Sequence, residues 1–408
     1  MSDQLSKVLK GGLCAGCGGC AAVAPSAAKM QVSSDGFARP HFSRDLTGHE
    51  RRTISSICPS IEQSVEEEDR RVDPYWGPYV STEVGYSTDA DLRNYASSGG
   101  ALSGFLLALI EGKTVDAIIH IKADPQDPLA NVSTVSSTRA EILAASGSRY
   151  APSNPLEILP QLRGDGRRYA FVGKPCDVSA LRSLQAVDPQ IAKMVPVAVS
   201  FFCAGAPSLN AGRALLDRMS VKTDDVESFR HRSDGWPGHA SATLKGGGKV
   251  SLSYSESWGE VLSKQVQHRC KLCADGSGVF ADAVFADAWE VDGEGYPNFS
   301  DRPGQSLVLA RTELGHSLIS SAQMSGHLKL APFDIQELAK IQTGQVRRRK
   351  VVSARLLAAW LMGRPTPRYR GMGLGLMTRR APVSELFRNF AGMVRRSFRA
   401  SRNGENSC

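Results

Sequence analysis

The sequence predicts an α/β protein with some α+β elements, built as a small cysteine-bearing N-terminal cap on a larger α/β body. Two observations carry this. Cysteines crowd the first 60 residues, where the chain is polar and lacks long periodic runs. From residue 79 onward, short apolar runs alternate with stretches of helical spacing, the rhythm of strand–helix–strand units with parallel pairing.

Residues 1–75 read as an irregular cap. It closes in the acid–base run Glu66-Glu67-Glu68-Asp69-Arg70-Arg71, a solvated linker. Residues 101–111 have the apolar spacing of a helix. Residues 115–121 (VDAIIHI) form a strand-like run bounded by Gly112 and Pro125. Residues 169–172 (YAFV) and 195–202 (VPVAVSFF) are two further buried-strand candidates. Turn chemistry and a helix-like stretch follow each of them, at 178–184 and at 209–219. Residues 240–244 and 250–254 flank Gly246-Gly247-Gly248, which predicts a hairpin.

With 41% hydrophobic and 22% charged residues, the composition is that of an ordinary globular protein. No apolar stretch approaches the roughly 20 residues a membrane span needs. The opening MSDQLSKVLK lacks the apolar core of a secretion signal. Nine cysteines, an odd number, point to a reducing cytoplasm rather than a disulfide scaffold. The net charge of +8 is uneven: residues 341–408 hold 15 Lys+Arg against 2 Asp+Glu, while the first 340 are mildly acidic.

Cys14, Cys17 and Cys20 lie in GLCAGCGGC, and the position of a fourth cysteine in the usual bacterial iron–sulfur run holds Ala24, before Pro25. One remote cysteine precedes a proline, Cys58-Pro59. Three local thiolates and one distant thiolate complete a ligand set for one [4Fe-4S] cluster. Zinc is the main alternative, although zinc ligands come as C-x2-4-C pairs rather than as three at this spacing. Inert thiols are the other. A second constellation joins the C-x2-C pair Cys270 and Cys273 to Cys176 and Cys203, each following a predicted strand. Carboxyl ends of parallel strands line ligand crevices, so these two thiols belong to a functional rim and favour a second cluster over small buried residues. Lys174, Arg269 and Lys271 flank them, and cations oppose the negative charge of a thiolate-ligated cluster.

Ser97-Ser98-Gly99-Gly100 opens the helix at 101, where serines cap free N–H groups and glycines let a phosphate approach. A plain N-cap explains these residues as well. Residues 147–154, with Ser148, Arg149, Tyr150, Ser153 and Asn154, form a polar loop able to hold a phosphate and stack a ring, or simply a loop. No Rossmann fingerprint and no P-loop is present.

Taken together, CAGCGGC with Cys58-Pro59, SSGGALSGFLLALIEGKTVDAIIH, GSRYAPSN, FVGKPCDVSALR, FFCAG, RCKLCADGSGVFADAVFADAW and SLVLART resemble the coenzyme F420 hydrogenase/dehydrogenase beta-subunit family. That family includes reductases of chlorophyll-type macrocycles. The resemblance runs from about residue 14 to about residue 330. It implies an iron–sulfur flavoprotein with a ferredoxin-like [4Fe-4S] domain at 1–75, family N- and C-terminal domains at 76–165 and 166–340, and a basic tail at 341–408. It assigns Cys14, Cys17, Cys20 and Cys58 to one cluster and Cys176, Cys203, Cys270 and Cys273 to the other. FAD is implied near Ser97, Ser98, Gly99, Gly100, Ser148, Arg149, Tyr150, Ser153 and Asn154, with Lys174 close by. The family name does not select coenzyme F420 as this chain's partner. The loop at 230–238 is a candidate substrate loop, with His231 or Asp234 as proton donor, or a charged turn.

In the tail, Leu386, Phe387, Phe390, Met393, Val394 and Phe398 share one helical face amid Arg388, Arg395, Arg396, Arg399 and Arg402. Such a helix packs on the body, or docks on an acidic partner or the inner membrane surface. No nucleic-acid reading element accompanies it. Three functions compete. One is a cytoplasmic oxidoreductase passing electrons from a donor such as ferredoxin, through clusters and FAD, to a small organic substrate or deazaflavin. Another is an electron-transfer subunit serving a separate catalytic partner. The last is a zinc-bearing interaction protein.

Overall fold

The computed structural model describes residues 4–66, 70–233, 235–289 and 303–402. Asp234 and residues 67–69 of the expected linker lie outside that set. An eight-stranded sheet organises the body, in the order Leu328–Pro332, Ser81–Ser87, Ser306–Ala310, Ala283–Asp287, Val197–Phe201, Tyr169–Gly173, Ala117–Ala123 and Asn131–Ser136. The expected parallel pairing holds among four central strands, from 283–287 through to 117–123. It fails at both flanks, where 131–136, 306–310, 81–87 and 328–332 pair antiparallel.

The central strands were readable because both faces are covered. Tyr169, Phe171, Ile119, Val284 and Leu309 bury into one core, with Val178, Leu181 and Leu184 of the helix Pro175–Val187. Their neighbours Ala170, Val172, Ile118, Phe285 and Val308 bury into the other, with Phe105 and Leu109 of the helix Ala101–Glu111. A strand buried on both faces has no polar alternation and reads as an apolar run. The segments 76–165 and 166–340 are not separate bodies: strand Ser81–Ser87 joins two strands of the later segment, and Ala117–Ala123 pairs with Tyr169–Gly173.

The cap is regular, not irregular. It holds helices Gln4–Lys10, Gly19–Val23 and Gly48–Ile57, and a hairpin of Ala28–Val32 with Ala38–Phe42. A capping box between Thr47 and Glu50 starts the third helix. The expected hairpin at 240–254 is present as His239–Leu244 with Lys249–Leu252, and Val226–Ser233 adds a third antiparallel strand. Its apolar face shares a small core with Leu209, Leu215 and Leu216 of helix Leu209–Arg218.

The tail is built into the molecule. Strand Arg368–Arg370 pairs in parallel with Glu62–Ser64 of the cap. Ala358, Ala359 and Met393, from helices Thr343–Leu361 and Val383–Arg402, bury against Val8, Leu13 and Leu272. No helix among the described residues is long and apolar enough to cross a membrane.

Candidate functional site

The parallel strands Tyr169–Gly173, Val197–Phe201 and Ala283–Asp287 end on one edge of the sheet, and the chemistry gathers there. The first leads into Lys174, Pro175 and Cys176 at a helix start, the second into Cys203, and the third closes on Asp287. Cys176, Cys203, Cys270 and Cys273 all line one pocket, together with Lys174, Arg269 and Arg348. The expected rim position of both strand-end thiols is thus met. Lys271 does not line the pocket; Arg348, from the tail, takes that place.

The first thiol set also converges. Cys14 and Cys58 pack against the same apolar cluster; the charge of Cys14 raises the thiols of Cys17, Cys20 and Cys58, and Cys58 raises those of Cys17 and Cys20. Burial is the largest cause in each case: it pushes Cys58 up to about 11, and raises Cys17 and Cys20 well above the ordinary thiol value. Backbone N–H groups of Gly19 at Cys17, and of Ser60 and Ile61 at Cys58, pull the other way. Gly18, at φ 87°, turns the loop; a Cβ there would stand 2.7 Å from the Asn154 carbonyl oxygen. The second set behaves alike. Burial raises Cys203 to about 12 and Cys176 well above its ordinary value, and the Ala206 N–H donates to Cys270 Sγ at 3.4 Å.

Burial favours the neutral thiols, and a cationic metal core, helped by the N–H donors and cations around each set, would hold them as thiolates. Among the described residues, no three or more His, Cys, Asp or Glu side chains could together hold a single metal ion. One tetrahedral zinc would draw its sulfurs to about 4 Å of one another, given Zn–S near 2.3 Å.

Arg269 ties the two sets together. Its buried guanidinium donates to the Pro59 carbonyl at 2.9 Å, Ser60 Oγ at 3.2 Å, Gln63 Oε1 at 3.0 Å and Tyr369 Oη at 2.8 Å, and its charge reaches the thiols of Cys273, Cys176 and Cys270. Cys58 feels it too.

A larger cavity of about 300 Å³ adjoins the second set. Lys174, Cys203, Gly205 and Ala206 border both spaces. Ser97, Ser98, Gly100, Ser148, Arg149, Tyr150 and Ser153 line the cavity as well; Gly99 and Asn154 do not. Several of these residues do other work than expected. Neither Ser97 nor Ser98 caps the helix that follows. Ser97 Oγ accepts from the Ser148 N–H and hydroxyl, both at 2.9 Å, and Ser98 Oγ donates to Asp287 Oδ1 at 2.5 Å. Gly99, at φ 74°, admits backbone rather than ligand, since its missing Cβ would lie 2.4 Å from the Gly304 carbonyl oxygen. The Arg149 guanidinium is spent on Asn131 Oδ1 and the carbonyls of Phe229, Pro128 and Ala130, all at 2.8–2.9 Å. Lys174 Nζ donates to Asp177 Oδ2 at 2.8 Å and to Ser153 Oγ at 2.6 Å. Burial opposes both charges of that pair: Asp177 holds the Lys174 ammonium charged, whereas burial outweighs the pull of Lys174 and leaves the Asp177 carboxyl above its ordinary value. Asn154 turns to Glu157, and the next turn, through the Leu156 N–H, supports the Cys17 carbonyl at 3.1 Å.

The loop at 230–238 reaches the cavity through Arg232, not His231. Adjacent residues of a strand face opposite ways. Arg232 lines the cavity and grips Asp287 with both terminal nitrogens, at 3.0 and 2.9 Å, while Trp236 Nε1 donates to the same carboxylate at 2.8 Å. His231 is buried edge-on to Phe229 and Tyr150, behind the wall, and burial holds its pKa well below the usual imidazole value. Tyr150 and Trp258, 4.9 Å apart, with Tyr254 and Trp289, make the aromatic wall. Gln342 and Gln345 enter from the tail. Tyr150 was among the residues expected near the flavin, Arg232 lies in the candidate substrate loop, and Asp287 and Trp289 lie in the block RCKLCADGSGVFADAVFADAW; the one signal for the role of Asp287 was an acid closing the apolar run AVFAD, and Tyr254 and Trp258 had none.

Models of the coenzyme F420 hydrogenase/dehydrogenase beta subunit match the chain, the N-terminal one over residues 83–160 and the C-terminal one over residues 166–336. The chain is 25% identical over 279 residues to a coenzyme F420 hydrogenase subunit beta of Methanococcus voltae, covering 64% of this chain and 86% of that protein. It is 31% identical over 87 residues to a chloroplastic 7-hydroxymethyl chlorophyll a reductase of Oryza sativa subsp. japonica, covering 21% of this chain and 18% of that protein. A chain of the F420-reducing [NiFe] hydrogenase complex from Methanosarcina barkeri shares the fold, with a TM-score of 0.53 at 23% identity, covering 69% of this chain and 95% of that one.

Proposed function

The chain belongs to the coenzyme F420 hydrogenase/dehydrogenase beta-subunit family, and on that premise we propose that it is an iron–sulfur flavoprotein oxidoreductase. In this reading, Cys14, Cys17, Cys20 and Cys58 hold one [4Fe-4S] cluster, Cys176, Cys203, Cys270 and Cys273 hold a second, and the 300 Å³ cavity takes FAD and a reducible organic substrate or deazaflavin. When bound, the clusters supply single electrons and the flavin gathers two for a hydride-equivalent transfer. The observation that carries the reading is Cys203, which borders both the thiol pocket and the cavity.

The protein's own residues do the positioning. Arg269 spans the two thiol sets, and Lys174 and Arg348 oppose the charge of the second. Tyr150, Tyr254, Trp258 and Trp289 exclude water on one side of the cavity. The helix Ala101–Glu111 starts at the cavity without a side-chain cap, and such an N-terminus suits a phosphate. Electrons enter from a one-electron donor such as a ferredoxin. A second reading, an electron-transfer subunit feeding a separate catalytic partner, draws support from relatives that are named subunits and from a solved relative within a hydrogenase complex.

Anaerobic purification with iron, sulfide and flavin quantified together tests the proposal. About eight iron and eight sulfide per chain, with flavin, are expected for two cubes. Cys270→Ala should halve the iron and leave the flavin. Zinc in place of iron, or unchanged iron in the variant, would overturn it. Turnover of a substrate by the isolated chain with an artificial donor separates enzyme from subunit.

A further inference from the structure

The two tail helices roof the first thiol set. Phe390 and Val394 of the last helix pack against the same cluster as Cys14 and Cys58. The roof's outer side is unlike the rest of the surface. Trp360 is 64% exposed, Phe387 71% and Phe398 57%, with Leu357, Leu361 and Val383 also exposed. Seven of the thirteen exposed large apolar side chains among the described residues lie beyond residue 341.

Phe387 and Phe398 are eleven residues apart, three helical turns, so they share a face; Val383 lies one turn before. Arg388 and Arg395 flank that line and make no ion pair among the described residues. Glu385, the one acidic residue of the helix, pairs with Arg347 at 3.5 Å. The helices run side by side in the same direction: Arg347 meets Glu385, Arg355 donates to Asn389 Oδ1 at 2.9 Å, and Arg364 donates to the Ser397 carbonyl at 3.5 Å. Trp360 and Leu361 therefore lie at the same end of the pair as Phe398.

We propose that this outer face is a peripheral membrane-docking surface, selective for an anionic lipid bilayer. Aromatic and aliphatic side chains beside arginines are what an interfacial helix presents, apolar groups entering the acyl boundary and guanidiniums meeting phosphates. The occupant follows from what the face lacks. Between Val383 and Phe398 the exposed positions are apolar or arginine apart from Ser384, so no exposed acid breaks the positive field, and the face complements a surface of uniform negative charge such as an anionic bilayer. A second copy of the chain would set arginines against arginines. Neither family model extends past residue 336, and the surface lies beyond that point.

The test uses the full chain and sedimentation with vesicles of phosphatidylcholine, alone or with 30 mol% phosphatidylglycerol. Binding to the anionic vesicles at low salt, lost at 1 M salt where the screening length falls to about 3 Å, is expected. Arg388→Gln with Arg395→Gln should weaken partition about thirtyfold, near fivefold per charge. Phe387→Ser with Trp360→Ser should weaken it while leaving iron content and thermal midpoint unchanged, since both side chains face outward. No sedimentation with anionic vesicles overturns the proposal, as does equal binding to neutral vesicles. So does a face that these substitutions show to bind an acidic protein or a second copy instead.

Discussion

A lysine ammonium beside four thiols needs a counter-charge, and at Lys174 it is Asp177, 2.8 Å away and equally buried. Removing one member strands the other, which costs far more than the pair itself is worth. Lys174→Met should destabilise the protein by about 3–5 kcal/mol in denaturant titration. A loss below about 1 kcal/mol would show that Asp177 finds another partner. His231 makes the opposite case. Both ring nitrogens are buried without a hydrogen bond, and burial, with the Arg149 charge behind it, keeps the ring neutral. In acid the unfolded chain protonates this ring and the folded chain does not. Stability that is full above pH 6.5 is therefore lost as the pH falls, by up to about 1.4 kcal/mol per pH unit. His231→Phe, which keeps the ring contacts with Phe229 and Tyr150, should raise the melting temperature more at pH 5 than at pH 7.5. An equal shift at both would show that the imidazole is charged in the fold.

Elements were legible where local pattern and burial agree. The helix predicted over 101–111 is Ala101–Glu111, because seven of its residues are buried and apolar spacing is strong there. The turn before it was misread: Ser97 and Ser98 look like caps, but their hydroxyls serve a loop fifty residues on and a carboxylate at 287. Tertiary partners of that kind leave no trace in nearby sequence. Gly99 is the sensitive point, with a left-handed backbone and a neighbouring carbonyl where a Cβ would sit. Gly99→Ala should cost about 1–3 kcal/mol and lower flavin content, because the Ser98–Asp287–Arg232 links hang on that turn. An unchanged melting temperature would refute this. The helices of the cap are short and weakly periodic, held by packing rather than propensity, which is why the region reads as irregular.

At the scale of the whole molecule, cysteine spacing revealed more than any other signal. The convergence of both four-thiol groups was readable because packing gives thiols no reason to recur at x2 spacing, before a proline and at strand ends. The cavity was half readable. Its loops were visible, but the Arg232–Asp287 grip, the aromatic wall, and Gln342, Gln345 and Arg348 arrive from segments as far apart as Tyr150 and Arg348. The tail's part in the centre was hidden for the same reason: Arg348 and Gln345 hold the Cys203 carbonyl at 2.8 and 3.1 Å. What remains testable is the separation of the two ends of the route. The Cys14–Cys58 set shares no residue with the lining of the large cavity; Cys17 meets the turn after the cavity loop through its backbone carbonyl, and its thiol packs in the core beside Leu156 and feels the Asp177 charge. Cys17→Ala keeps that carbonyl. The variant should therefore bind flavin as the parent does, lose about half its iron, and no longer be reduced at the parent's rate by a docked one-electron carrier. A small reductant reaching the cavity directly should still bleach its flavin. Loss of flavin from the variant would mean that the thiol loop is part of the flavin site, and the two-ended route would collapse into one centre.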